Sequence, residues 1–154
     1  MKREIILLRH AHADKGGPDT DDTTRSLSSQ GLAEARDAGL WLRQHQALPA
    51  TILCSPAKRA LQTLDTALGD VPRTLEPRIY EATAGELASL IDAHAEAHRL
   101  MLVGHNPGFE TLVALLATGQ SGDFRGMPPS GIAWLEIDGA AEPGAGVLKA
   151  FWWP

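Results

Sequence analysis

The apolar positions of this chain fall into short unbroken runs and longer helical stripes. Ile5, Ile6, Leu7 and Leu8 form one run, which suits a strand buried on both faces. Thr51-Ile52-Leu53-Cys54 and Leu100-Met101-Leu102-Val103 are two more of the same kind, the latter closed by Gly104. Residues 13–25 are polar, with Gly16-Gly17-Pro18 and Asp19, Asp21 and Asp22, and read as a solvated loop. From Ser28 onward, Leu32, Ala35, Gly39 and Leu42 lie on one helical stripe. Ser55-Pro56 and Asn106-Pro107 each read as an N-cap followed by proline at the first helical position. They predict one helix to about residue 68 and another through Leu112, Val113, Leu115 and Leu116. Leu87, Leu90, Ile91 and Ala95 predict a further helix over 84–98, and runs at 132–137 and 147–153 predict a final strand pair. Strands alternate with helices, so the expected class is α/β with a mostly parallel central sheet. Residues 1–154 are expected to form a single domain, with no linker or repeat.

Composition narrows the partners. A net charge of -5 argues against a general binder of nucleic acid or of an anionic membrane. Any bound anion must be caught by a local group of cations. The single cysteine, Cys54, cannot form an internal disulfide, and its apolar run makes it a buried strand residue rather than a catalytic thiol. The apolar core near the N-terminus is too short for a signal segment or a membrane span. A soluble, cytoplasmic protein is expected.

The chemistry lies where the apolar runs end. The first runs into Arg9-His10, the second into Ser55-Pro56-Ala57-Lys58-Arg59, and the third into Gly104-His105-Asn106. In an open parallel sheet the carboxyl ends of the strands share one edge, where ligands usually bind. Arg9, His10, Arg59 and His105 are therefore expected to meet. Lys58 and Arg59 also stand in a first helical turn, where the macrodipole favours acids. An anion held there would reverse that cost, and a solvated basic pair is the plain alternative. Two guanidinium groups match phosphoryl oxygens two at a time. A neutral imidazole can attack phosphorus, with nearby cations lowering its pKa. A second imidazole can hydrogen-bond the transferring group.

Leu8-Arg9-His10-Ala11 resembles the Arg-His-Gly signature of the histidine phosphatase, or phosphoglycerate mutase-like, superfamily. Ser55-Pro56-Ala57-Lys58-Arg59-Ala60-Leu61-Gln62-Thr63 resembles its Ser-Pro-x-x-Arg-Ala-x-Gln-Thr segment, and Val103-Gly104-His105-Asn106-Pro107 its second histidine motif. The resemblance implies a three-layer fold, with a mostly parallel central sheet flanked by helices. It further implies a covalent phosphohistidine intermediate on His10, with Arg9, Arg59 and His105 around the phosphoryl group. The chain's length and its Arg25-Ser26-Leu27-Ser28-x-x-Gly31 segment are most similar to SixA-type phosphohistidine phosphatases. Arg25 would then be an extra phosphate contact, and Asn106 is grouped with it as substrate-binding. Two departures stand out. Ala11 replaces the usual glycine, and the Thr and Asn that other members carry after the signature are absent. Glu81 matches the region of the proton-donating acid, against the alternative of a solvated carboxylate before a helix.

The expected function is thus a phosphatase without metal or cofactor, acting on a phosphorylated substrate, foremost phosphohistidine on a protein. A phosphomonoesterase on a small sugar or nucleotide phosphate is the first alternative, and a binding module for a phosphorylated partner the second. A metal hydrolase built on His10, His12 and His105 comes third, since no carboxylate partner is evident and the arginines would repel a cation. His94 and His98 lack the glutamate of a zinc helix motif. Trp134, Trp152 and Trp153 are expected to pack against late strands.

Overall fold

The computed structural model describes residues 1–123 and 126–154. Among them, six strands form one sheet: β1 (Lys2–Arg9), β2 (Thr51–Cys54), β3 (Thr74–Leu75), β4 (Arg99–Gly104), β5 (Ile132–Asp138) and β6 (Gly146–Trp152). The helices are α1 (Ser29–Gln44), α2 (Lys58–Leu68), α3 (Ala84–Ala93) and α4 (Gly108–Thr118), with short 3₁₀ turns at Asp22–Thr24 and Pro77–Ile79. The strand order is β3-β2-β4-β1-β5-β6. The first four of these run parallel to one another, and β5 and β6 close the sheet antiparallel.

Side chains alternate across β1, so its unbroken apolar run serves two cores. Ile5 and Leu7 pack with Leu87, Leu90 and Ile91 of α3 and Leu112 and Leu116 of α4. Ile6 and Leu8 pack with Ala38 and Leu42 of α1 and Ala60 and Leu64 of α2. The result is the expected three layers, helix on sheet on helix. Among the described residues, no helix is long and apolar enough to cross a membrane.

Four local expectations are corrected. The helix α2 begins at Lys58 rather than Pro56, and Ala57 precedes it with no side-chain cap. Likewise α4 begins at Gly108 behind Pro107, although Asn106 Oδ1 still accepts from Glu110 N at 3.2 Å. The helix α3 stops at Ala93, short of residue 98. Its last carbonyls are claimed from outside: buried Arg3 donates Nη2 to Ile91 O at 3.1 Å and Nη1 to His94 O at 3.0 Å, satisfying the helix end. Trp134 and Trp152 do pack, around Trp41. Trp153 instead is 53% exposed.

Candidate active site

Strand pairing brings the predicted residues to one edge. β4 lies between β2 and β1, with Arg9 opposite Gly104 and Cys54 opposite Val103. His10, Ser55 and His105 are the residues that immediately follow these three strands. His10 N donates to Gly104 O at 2.9 Å and Ser55 N to Val103 O at 3.0 Å, which carries the sheet's register into the site. Gly104 must lack a side chain, because a Cβ there would stand 2.6 Å from Ile79 Cγ2 and 2.9 Å from the Phe109 ring. The His10 and His105 rings meet with centroids 5.2 Å apart.

Both arginines are tethered at one end. Arg9 donates Nη1 to Met127 O at 2.7 Å. Arg59, 6% exposed in the first turn of α2, donates Nη1 to Asp22 O at 2.7 Å and Nη2 to Asp22 Oδ2 at 3.0 Å. Among the described residues, the buried side-chain nitrogens and oxygens without a partner are Arg9 Nε, Arg59 Nε and His105 Nδ1. All three belong to residues singled out from sequence. Buried polar atoms are normally paired, so three such nitrogens among these residues call for an explanation.

His10 and His105 are neutral near pH 7. Burial pushes His10 down to about 4, and the charges of Arg59, Arg9 and Arg25 add to it. The sequence suggested those cations as the cause, but desolvation is the larger effect. His10 Nδ1 lies 2.8 Å from Ala11 O. A carbonyl can only accept, so Nδ1 carries the hydrogen and Nε2 keeps its lone pair. Burial also pushes His105 down to about 3, helped by His10 and Arg59.

Two clefts flank the imidazole pair. One, of about 520 Å³, is lined by Arg59, His105, Asn106, Asp22, Tyr80 and Glu81. The other, of about 430 Å³, is lined by Arg9, His10, Arg25, His12 and Lys15. Glu81 therefore reaches the site's rim, from a left-handed backbone with φ of 58°. Arg25 lies on the His10 side, with Nη1 bound to Asp22 Oδ1 at 3.0 Å. Asn106 is occupied by the fold: its amide donates to Met127 O at 2.9 Å and to Glu110 Oε2 at 3.2 Å. Among the described residues, no group of three His, Cys, Asp or Glu side chains is placed to hold a metal ion.

A model of the histidine phosphatase superfamily, branch 1, matches residues 5–111. The chain belongs to the histidine phosphatase superfamily. A candidate phosphohistidine phosphatase SixA from Agrobacterium tumefaciens is 32% identical, with a TM-score of 0.83, over 99% of this chain and 98% of that one. Its counterpart from Nakamurella multipartitia is 26% identical, with a TM-score of 0.86, over 100% and 97%. An uncharacterised protein of Mycobacterium tuberculosis is 34% identical over 152 residues, covering 91% of this chain and 96% of the other.

Three residues of the candidate site are not singled out by the sequence. Asp22, which its polar loop predicts to be a solvated acid, bonds Arg59, Arg25 and the Tyr80 hydroxyl. Those bonds, led by Tyr80, hold its carboxyl well below the usual range. Tyr80, in turn, is pushed up to about 12, chiefly by Asp22. Ser55, which the sequence predicts to be a helix cap, is buried with Oγ 2.7 Å from His105 Nε2. The position of Ser55 in the Ser-Pro-x-x-Arg segment was its only available signal; nothing in the sequence singled out Asp22 or Tyr80.

Proposed function

We propose that this chain is a phosphatase that transfers a phosphoryl group to His10 and then to water, with phosphohistidine on a protein as its substrate. The carrying observation is the trio of unpartnered buried nitrogens beside a neutral imidazole whose Nε2 lone pair is available. His10 Nε2 attacks phosphorus in line, and the substrate's P–N bond breaks as its imidazole nitrogen takes up a proton from solvent water. Arg9 and Arg59 hold the phosphoryl oxygens, His105 stabilises the charge that shifts onto them, and Arg25 adds a contact from the second cleft. Water then attacks phosphorus, the bond to His10 Nε2 breaks, and inorganic phosphate leaves. The reading uses one catalytic domain over residues 1–154, acting in the cytoplasm without a cofactor. The likeness to proteins named as candidate SixA phosphatases supports the substrate.

Glu81 on the rim of the cleft favours a second reading, hydrolysis of a small phosphomonoester, because an alkoxide needs a proton donor more than an imidazole does. A panel of a phosphohistidine protein and common phosphomonoesters, assayed with a chelator present, tests both. The first reading expects turnover of the phosphohistidine protein, no turnover by a folded His10→Ala variant, and little effect of Glu81→Gln. A large loss of ester hydrolysis in Glu81→Gln supports the second. Retained turnover in His10→Ala defeats both, and absence of labelled phosphate on His10 alongside tight phosphate binding leaves a binding module.

A further inference from the structure

We infer that Ser55 is a positioning residue that fixes which nitrogen of His105 carries the proton, leaving Nδ1–H as the donor to the transferring phosphoryl group. The inference rests on the phosphatase reading above. Ser55 is fully buried, and its place is set by the backbone bond from Ser55 N to Val103 O at 3.0 Å. Its Oγ accepts from Ala57 N at 3.3 Å and stands 2.7 Å from His105 Nε2. A hydroxyl has one hydrogen to give, and Nε2 is the acceptor it meets among the described residues.

The two tautomers of His105 then differ sharply. With hydrogen on Nε2, the imidazole would donate to Oγ and the hydroxyl hydrogen would be left buried with no acceptor, a costly arrangement. Nδ1 would then offer a lone pair, and no hydrogen, to any anionic oxygen bound at it. With hydrogen on Nδ1, every polar atom of the chain Ala57 N–H, Ser55 O–H and His105 Nε2 is satisfied. Nδ1–H is left without a protein partner, in agreement with its unpaired state. Burial keeps the ring neutral, so Nδ1–H is gained only through this tautomer. The imidazole is thereby oriented before the phosphoryl group arrives, as hydrogen-bonded partners orient metal-binding histidines.

The test is ¹⁵N NMR of histidine-labelled protein near neutral pH, with His105 assigned from the signals lost in His105→Gln. The expected spectrum of the unaltered protein shows His105 protonated at Nδ1 and unprotonated at Nε2, and Ser55→Ala shows a mixture. Protonation at Nε2 in the unaltered protein overturns the inference, whatever the activity. In kinetics, Ser55→Ala is expected to lower kcat by about 10- to 100-fold with a much smaller change in KM. Ser55→Thr, which keeps the hydroxyl, recovers most of that loss. An active Ser55→Ala with unchanged kcat also overturns the inference. An Nδ1–H signal in a protein with no turnover on any phosphorylated substrate defeats the phosphatase reading and, with it, the donor role, while the tautomer assignment stands.

Discussion

Acid should unfold this protein early, and the two site histidines should be the reason. Their folded pKa values, about 4 for His10 and about 3 for His105, lie below the ordinary 6.5 that an unfolded chain shows. As pH falls below 6.5 the unfolded state takes up protons that the folded state refuses, so stability is full above that value and drains away beneath it. By about pH 5 each unfolded histidine has gained roughly 2 kcal/mol of protonation free energy, while the folded pair has gained almost none. The two together cost about 4 kcal/mol, a large share of the 5–15 kcal/mol that typically holds a domain together. The figure depends only on the folded values lying well under 5. Asp22 does not confuse the window, because a lowered carboxyl loses its contribution only below the ordinary 3.8. Urea unfolding at about pH 7.5 and about pH 5 should show the midpoint falling by about 2 M, at a slope near 2 kcal/mol/M. The double variant His10→Gln, His105→Gln should lack that part of the fall. Equal losses in the two proteins would refute the claim that the fold holds these imidazoles neutral.

Two other consequences are readily measured. Tyr80 is the single tyrosine of the chain, so alkaline absorbance titration reads it alone; Asp22→Asn should bring its ionisation down from about 12 toward the ordinary 10, and an unchanged midpoint would remove Asp22 as the cause. Gly31 lets α1 press against the loop behind His10, since a Cβ there would stand 2.0 Å from His12 O. Gly31→Ala should cost about 1–3 kcal/mol of stability by overpacking, read from the urea midpoint, and an undiminished midpoint would show that the loop yields without strain.

The strands were legible because burial on both faces writes itself as unbroken apolar runs, as in Ile5 to Leu8. Their shared edge followed from parallel order, which is why four residues spread from 9 to 105 could be grouped before any geometry was known. Local capping logic failed where tertiary partners claimed the same atoms. Ser55 bonds His105 across 50 residues of sequence, and Arg3 reaches the end of α3 across 88. The two-residue strand β3 is exposed and too short to carry a period. Asp22 looked like any loop acid, for its contact with Arg59 spans 37 positions and no spacing rule announces it.

The way the two arginines are held bears on how the proposed chemistry begins. Arg9 is fixed through Nη1 by Met127 O, and Arg59 through Nη1 and Nη2 by Asp22. Each is left unpaired at Nε. A buried donor without a partner costs on the order of 1–3 kcal/mol, so on the phosphatase reading a bound oxyanion relieves a penalty that the fold carries at these positions. Asp22 bonds the Nη atoms of Arg59 and leaves its buried Nε without a partner. Its carboxylate also lowers the net positive charge that an anion would meet. On the phosphatase reading that moderation has a use. Product phosphate carries the same oxygens as the transferring group, and a site with both guanidinium groups wholly uncompensated would hold it too long. Donors fixed in place but partly neutralised favour the moving charge of the transfer over the resting anion.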